Sequence, residues 1–239
     1  MTPADVRFAF LVLEDHPYGR EMLSQLLTAG LCPDVVIEER SQVARDEKAK
    51  FLDRMRGFEI APPIDALVAG LPTQRLVVPN HNDHASAERL SQTQPDFIVL
   101  GGTRILRPHA FAAAKLGTLN AHPGLLPEVR GSASVAWAIA LDIEVGCTCH
   151  FIEPGIDTGP IVSRQTIPVR RDSTYESLCH ATTTLSATLM TQALLAHVDG
   201  SLTSYPQGQG DEAKRNMPED GVVRVRDKLR LGTYKHLVD

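Results

Sequence analysis

No Lys- or Arg-rich run occurs in this 239-residue chain, and acids outnumber bases by 29 to 24, for a formal net charge of −5. Neutralising a phosphate backbone needs the opposite balance, so nucleic acid is not expected as the main partner. No apolar stretch approaches the ~18 residues of a membrane span, and the N-terminus lacks a charged-then-apolar leader. A cytoplasmic protein without a membrane partner is expected. Cysteines are few, and Cys147-x-Cys149 is too close for the usual zinc pair; with Cys32 and Cys179 they read as buried thiols, and no metal is expected. Internal repeats are absent. No Ser or Cys nucleophile stands in step with a base, so a covalent enzyme intermediate is not expected. What remains is an ordinary 43% hydrophobic share and enough length for one α/β domain with an appendage.

The chain opens as βαβ. Residues 6–13 are an apolar run of buried-strand length, Pro17 suits a helix's first turn, and Met22, Leu23, Leu26 and Leu27 give that helix one apolar face before Gly30. Residues 34–38 read as a second strand, so a parallel sheet with helices on its faces is expected. Residues 42–70 are charged and predicted helical, with a break near Gly57. Strands are predicted over 75–79 and 96–101, and helices around 85–90 and over 108–115, 132–141 and 173–198, the last with Ser173 and Glu176 as a capping box. Residues 144–152 and 161–169 suggest a hairpin extending the sheet. Trp137, the only Trp, reads as packing. Beyond Gly200 the chain reads as a surface-crossing loop over 204–215, then a short helix capped by Asn216 and Glu219 that carries Val222, Val225 and Leu229. That divides the chain into a catalytic α/β domain, 1–200, and a C-terminal extension, 201–239.

Chemistry concentrates between residues 120 and 160. Asn120 and His122 are two apart, so on a strand both side chains leave one face, and Pro123 pushes His122 towards extended backbone. Asp157 stands in a Gly/Pro-rich loop between strand-like runs. An amide donor, an imidazole and a carboxylate are the parts needed for an amine to attack a carbonyl. Alone, Asn120 and Asp157 would read as turn residues; it is the set that points to catalysis.

Asn120, His122, the Leu125-Leu126-Pro127 run, Gly131 and Asp157, with Arg104-Ile105-Leu106 upstream, resemble the folate-dependent formyltransferases. That family includes glycinamide ribonucleotide, methionyl-tRNA and sugar-nucleotide formyltransferases. The resemblance implies a Rossmann-like open, mostly parallel sheet with helices on both faces and a C-terminal hairpin and helix extension. It implies 10-formyltetrahydrofolate as formyl donor, without a metal. Asn120, His122 and Asp157 would be catalytic, with His150 beside them as a partner of Asp157. Arg104, Ile105, Leu106, Glu153 and Gly155 would meet the folate, although Ile105 and Leu106 could equally plug the core.

Two departures narrow the acceptor. Glycinamide ribonucleotide enzymes carry a Gly/Ser-rich phosphate cradle after the first strand; here stand Glu14, Asp15, His16, Pro17, Tyr18 and Gly19, whose acids would repel a phosphate. The methionyl-tRNA branch adds a β-barrel for which the tail has no room. A primary amine on a small molecule is therefore expected, such as a nucleotide-linked amino sugar, contacting Asp15, Tyr18, His81 and His84. His81 and His84 could also be metal ligands at i, i+3, but no third ligand stands nearby; Asn82 or Asp83 as a helix cap is the plainer reading of that loop. The alternatives are a formyltetrahydrofolate hydrolase, which usually carries a further N-terminal domain, and a folate- or nucleotide-binding module without turnover. The apolar side of the last helix would suit a homodimer.

Overall fold

The computed structural model describes residues 1–238 and centres on a seven-stranded sheet. Its strands are β1 (Phe8–Leu13), β2 (Val35–Glu39), β3 (Gln74–Val78), β4 (Phe97–Leu100), β5 (Gly117–His122), β6 (Gly146–Phe151) and β7 (Ile161–Thr166). They lie in the order β3-β2-β1-β4-β5-β6-β7. Pairing is parallel from β3 to β5 and antiparallel through the β6–β7 hairpin. Strands β1, β2 and β4 are buried at every position, as strands sandwiched between helices must be.

Alternation along the strands feeds two cores. Phe8, Phe10 and Val12 face α1 (Pro17–Thr28) and α7 (Tyr175–Val198), where Met22, Leu23, Leu189 and Met190 close the layer. Ala9 and Leu11 face the other way, onto Leu90 of α4 (His84–Thr93) and Ala110 of α5 (Pro108–Phe111). The order reverses at β1, flanked by both β2 and β4. A crevice beyond the carboxyl ends of strands at such a switch point is where open sheets take ligands.

Several elements differ from expectation. The charged stretch forms α2 (Gln42–Arg54) and then only one turn, α3 (Ile64–Leu67), because Pro62 and Pro63 cannot continue a helix. Helix α5 stops at Phe111 rather than 115: the N–H groups of Lys115 and Leu116 are taken by Pro95 and Asp96 carbonyls as the chain enters β5. Residues 161–169 are not one strand; Pro168 separates β7 from β8 (Val169–Arg170). The capping box of α7 is Thr174 with Ser177, one residue beyond Ser173 and Glu176, and Glu176 instead pairs with Arg226 at 2.8 Å.

The tail folds back onto the sheet domain. Helix α8 (Glu219–Arg230) begins after Pro218, not at Asn216, and sets Val225 and Leu229 against Val135 and Ile139 of α6 (Ser134–Ala140). Its apolar side is thus consumed within the chain, which removes the basis for the homodimer surface expected there. Trp137 packs beside this cluster and donates its indole N–H to the Arg215 carbonyl at 2.8 Å. Strand β9 (Leu237–Val238) pairs with β8. Among the described residues no helix is long and apolar enough to cross a membrane.

Candidate active site

Leu119 and Ala121 of β5 point into the α1/α7 core, so Asn120 and His122 take the opposite face. The antiparallel register sets Asn120 across from His150 and His122 across from Thr148. The next turn is folded down on β6: Thr148 Oγ1 accepts the Leu126 N–H at 3.0 Å and donates to the Gly124 carbonyl at 2.9 Å. Leu125 and Leu126 are buried by this turn. Gly124 has a steric role, because a Cβ there would come 2.7 Å from His122 Nε2.

Asp157 joins the two imidazoles. It sits in the β6–β7 loop with φ 53°, a left-handed conformation that Asp tolerates better than most residues. One carboxylate oxygen accepts the Gly131 N–H at 2.8 Å and lies 3.5 Å from His122 Nδ1; the other lies 3.6 Å from His150 Nε2. Carbonyl partners fix both tautomers. His122 Nε2 donates to the Val129 carbonyl at 2.8 Å, with the Ser134 hydroxyl at 3.2 Å, so Nδ1 is left to face Asp157. His150 Nδ1 donates to the Phe151 carbonyl at 2.8 Å, which leaves Nε2 to accept from the Asn120 amide at 3.2 Å. One amide hydrogen of Asn120 is thereby used and the other remains for a ligand.

Burial pushes His122 below the ordinary imidazole range, against the attraction of Asp157. Burial would raise the Asp157 carboxyl, but His122, His150 and the Gly131 N–H outweigh it and hold it well below the usual carboxylate range. At neutral pH the site is an imidazole lone pair beside a carboxylate. At 3.5 Å that contact is electrostatic; a proton arriving on Nδ1 turns it into a charge-assisted hydrogen bond. The arrangement can take up a proton and hold it, and it offers an amide N–H to a neighbouring oxygen.

A formyl transferase family profile matches residues 7–194. The chain belongs to the formyl transferase family. A methionyl-tRNA formyltransferase of Roseiflexus castenholzii is 34% identical over 170 residues, 69% of this chain and 54% of that protein. A second, from Koribacter versatilis, is 33% identical over 71% of this chain and 56% of its own length. The chain thus spans about half the length of the curated relatives it matches. Two crystal structures share the fold. An N-formyltransferase of Helicobacter canadensis, complexed with folinic acid and dTDP-3-aminofucose, has a TM-score of 0.64 at 14% identity, over 98% of this chain and 84% of that one. Glycinamide ribonucleotide transformylase 1 of Symbiobacterium toebii has a TM-score of 0.62 at 22% identity, covering 85% and 94%.

In this formyl transferase chain the residues expected at the folate divide by environment. Arg104 is spent on Glu39, with Nε 2.7 Å from the carboxylate. Leu106 is buried with Leu100 and Ile152, whereas Ile105 is 72% exposed and does not plug the core. Glu153 and Gly155 are exposed on the Asp157 loop. Of the residues expected at the acceptor, Tyr18 is core: its hydroxyl donates to the Ala121 carbonyl, and burial raises its pKa. His81 is also core, donating Nε2 to the Ile37 carbonyl at 3.0 Å. Both are buried and bonded to main-chain carbonyls, Tyr18 near the end of β5 and His81 within β2. His84 is exposed and stacks on His109 at 4.9 Å, so it forms no pair with His81. Glu14 pairs with Arg40, and Asp15 lies 3.8 Å from Lys48 while accepting the Ile64 N–H at 3.0 Å. Both acids are balanced, so their charge does not by itself repel an anionic acceptor.

Sequence reasoning missed the strap over the site. Gln207 donates to the carbonyls of Asp157 at 3.0 Å and Gly159 at 2.6 Å, and accepts from Arg130 at 3.0 Å. Bridges from Tyr205 to Ile161 and from Lys214 to Gly131 tie the same segment to both site loops. One Gln in a Gly/Gln/Pro-rich tail carries no local signal of this. Ser134 and the Val129 carbonyl were equally invisible, since neither belongs to a motif.

Proposed function

We propose that this chain is an N-formyltransferase that moves the formyl group of 10-formyltetrahydrofolate to a primary amine by direct attack. The observation that carries this is the unbroken set of contacts Asn120–His150–Asp157–His122 at the sheet's edge. The folate supplies the formyl carbon. His122 Nδ1 takes the proton shed by the attacking amine and returns it to the leaving nitrogen. Asp157 stabilises the imidazolium in between, and the free Asn120 N–H holds the oxygen of the tetrahedral carbon. One such oxyanion donor is worth on the order of 10²–10³ in rate. Ile105 and Ile156 are exposed apolar side chains of the kind that a flat heterocycle covers.

For the acceptor we favour an amine on a small molecule, and the Helicobacter canadensis protein with its bound amino sugar nucleotide supports that class. The names of the curated relatives favour a second reading, methionyl-tRNA. An acceptor panel read by mass gain of one formyl group separates them. It contains nucleotide-linked amino sugars, glycinamide ribonucleotide, methionyl-tRNA and an amine-free control. Formylation of an amino sugar nucleotide supports the proposal; formylation of methionyl-tRNA alone replaces the acceptor; formate release in the control means hydrolysis.

The strap gives a smaller effect. Gln207→Ala frees the Asp157 loop and is expected to lower kcat/KM about ten-fold, the order of one to two net hydrogen bonds. Steady-state kinetics at fixed acceptor checks it, and the thermal midpoint is expected to move little.

A further inference from the structure

Residues 103–106 have little of their own to hold them beyond the buried Leu106 side chain. Among the described residues they make no main-chain to main-chain hydrogen bond, and Ile105 at 72% exposure is not fixed by burial. What holds them is side chains from neighbouring strand ends. Asn82 Nδ2 donates to the Ile105 carbonyl at 3.0 Å, and Asn82 Oδ1 accepts the Arg107 N–H at 2.7 Å. One carboxamide thus engages residues 105 and 107 as an adjacent strand would, donor to one and acceptor from the next but one. Asn82 is itself held at both main-chain groups: its N–H donates to Asn80 Oδ1 at 2.9 Å and its carbonyl accepts from His109 Nε2 at 2.8 Å.

A buried carboxylate supplies the other anchor. Glu39, at the end of β2, receives Arg104 Nε at 2.7 Å, Arg104 Nη2, the Ser41 hydroxyl at 2.6 Å and the His81 N–H at 3.0 Å. Uncompensated, that charge would be costly to bury; with four donors it becomes a rigid node between the 80–84 loop and Arg104. The guanidinium is consumed by this node and is not offered to a ligand.

We propose that Asn82 and Glu39 form a latch that sets the main-chain geometry of residues 104–107, making Asn82 a positioning residue for the formyl donor. The inference rests on the reading that this segment meets the folate. A segment that meets a ligand binds it more tightly when it is fixed beforehand, because a loop left to order on binding lowers the affinity. The loop after β3 thus acts on the donor from behind, and not as a wall for the acceptor.

The test is equilibrium binding of folinic acid to the full chain, with formyl-transfer kinetics, for Asn82→Ala and Asn82→Asp. Asp keeps the acceptor for the Arg107 N–H but turns an oxygen towards the Ile105 carbonyl, so it is expected to be no better than Ala. Both variants are expected to weaken folinic acid binding and raise the donor KM by about ten-fold, the order of one to two net hydrogen bonds. The loss falls on the donor KM and not on kcat or the acceptor KM, and amide exchange at Arg107 quickens in Asn82→Ala. Donor affinity within about two-fold of wild type in both variants, at the resolution such comparisons allow, overturns the latch. So does an equal loss in acceptor KM, which marks general damage. If the wild-type chain itself neither binds folinic acid nor transfers formyl, the donor reading has failed; the latch then stands or falls on exchange at Arg107 alone, faster in Asn82→Ala or unchanged.

Discussion

His122→Gln lowers the rate of formyl transfer by on the order of 10²–10⁴-fold, the range typical of a positioned general base, while leaving the protein folded. Gln is the informative replacement because of what holds the ring in place. His122 is buried, and its Nε2 satisfies the Val129 carbonyl at 2.8 Å. Truncation to Ala would orphan that carbonyl and cost about 1–3 kcal/mol of stability, mixing a folding defect with a chemical one. A Gln amide can still donate to Val129 but cannot take up a proton. Single-turnover transfer measured beside a thermal melt separates the two. A Gln variant within about ten-fold of wild type would remove His122 from the chemistry, since that residue effect lies below the general-base range.

The parts of this fold legible in the sequence are those where one local rule decides. Residues 6–13 read as a buried strand, which forms over Phe8–Leu13 because helices cover both faces, and Pro17 marks the start of α1 because the ring suits a first turn. Misreadings fall where a distant group overrides the local one. Residues 112–115 have helical composition, yet Pro95 and Asp96 draw their end into β5. Glu176 has capping-box spacing, yet Arg226 takes it. Tyr18 and His81 stand in polar stretches of the sequence, and what turns them inward is the Ala121 and Ile37 carbonyls, distant in the chain. The same holds at the site. Asn120 and His122 share a face by strand periodicity, which two residues of spacing reveal. That Asn120 meets His150 depends on the register of β6 against β5, set across the long connection that carries α6. No local pattern encodes such a register.

Asp157→Asn is expected to cost on the order of 10²–10⁴-fold in kcat/KM, which separates two roles for the carboxylate, and to move the acid limb of the pH profile to lower pH. The base must be neutral to act, so activity falls as pH drops through the His122 pKa. Burial already sets that pKa below the ordinary imidazole value of about 6.5, and the Asp157 charge is the main influence pulling it back up. Removing the charge takes away the upward pull, so the acid limb moves to lower pH even as the rate falls. A carboxylate that only held the Gly131 loop in place would be largely replaced by Asn, whose amide oxygen can still accept the Gly131 N–H found at 2.8 Å. In that case the rate would stay near wild type and only the acid limb would move. Stability changes with the opposite sign. The carboxyl is held below its unfolded value of about 3.9, so its contribution is present above that pH and is lost as pH falls through the folded value. The Asn variant lacks that contribution at neutral pH and lacks its acid loss. Urea midpoints for the two proteins should therefore converge as the pH is lowered, while their rate profiles separate.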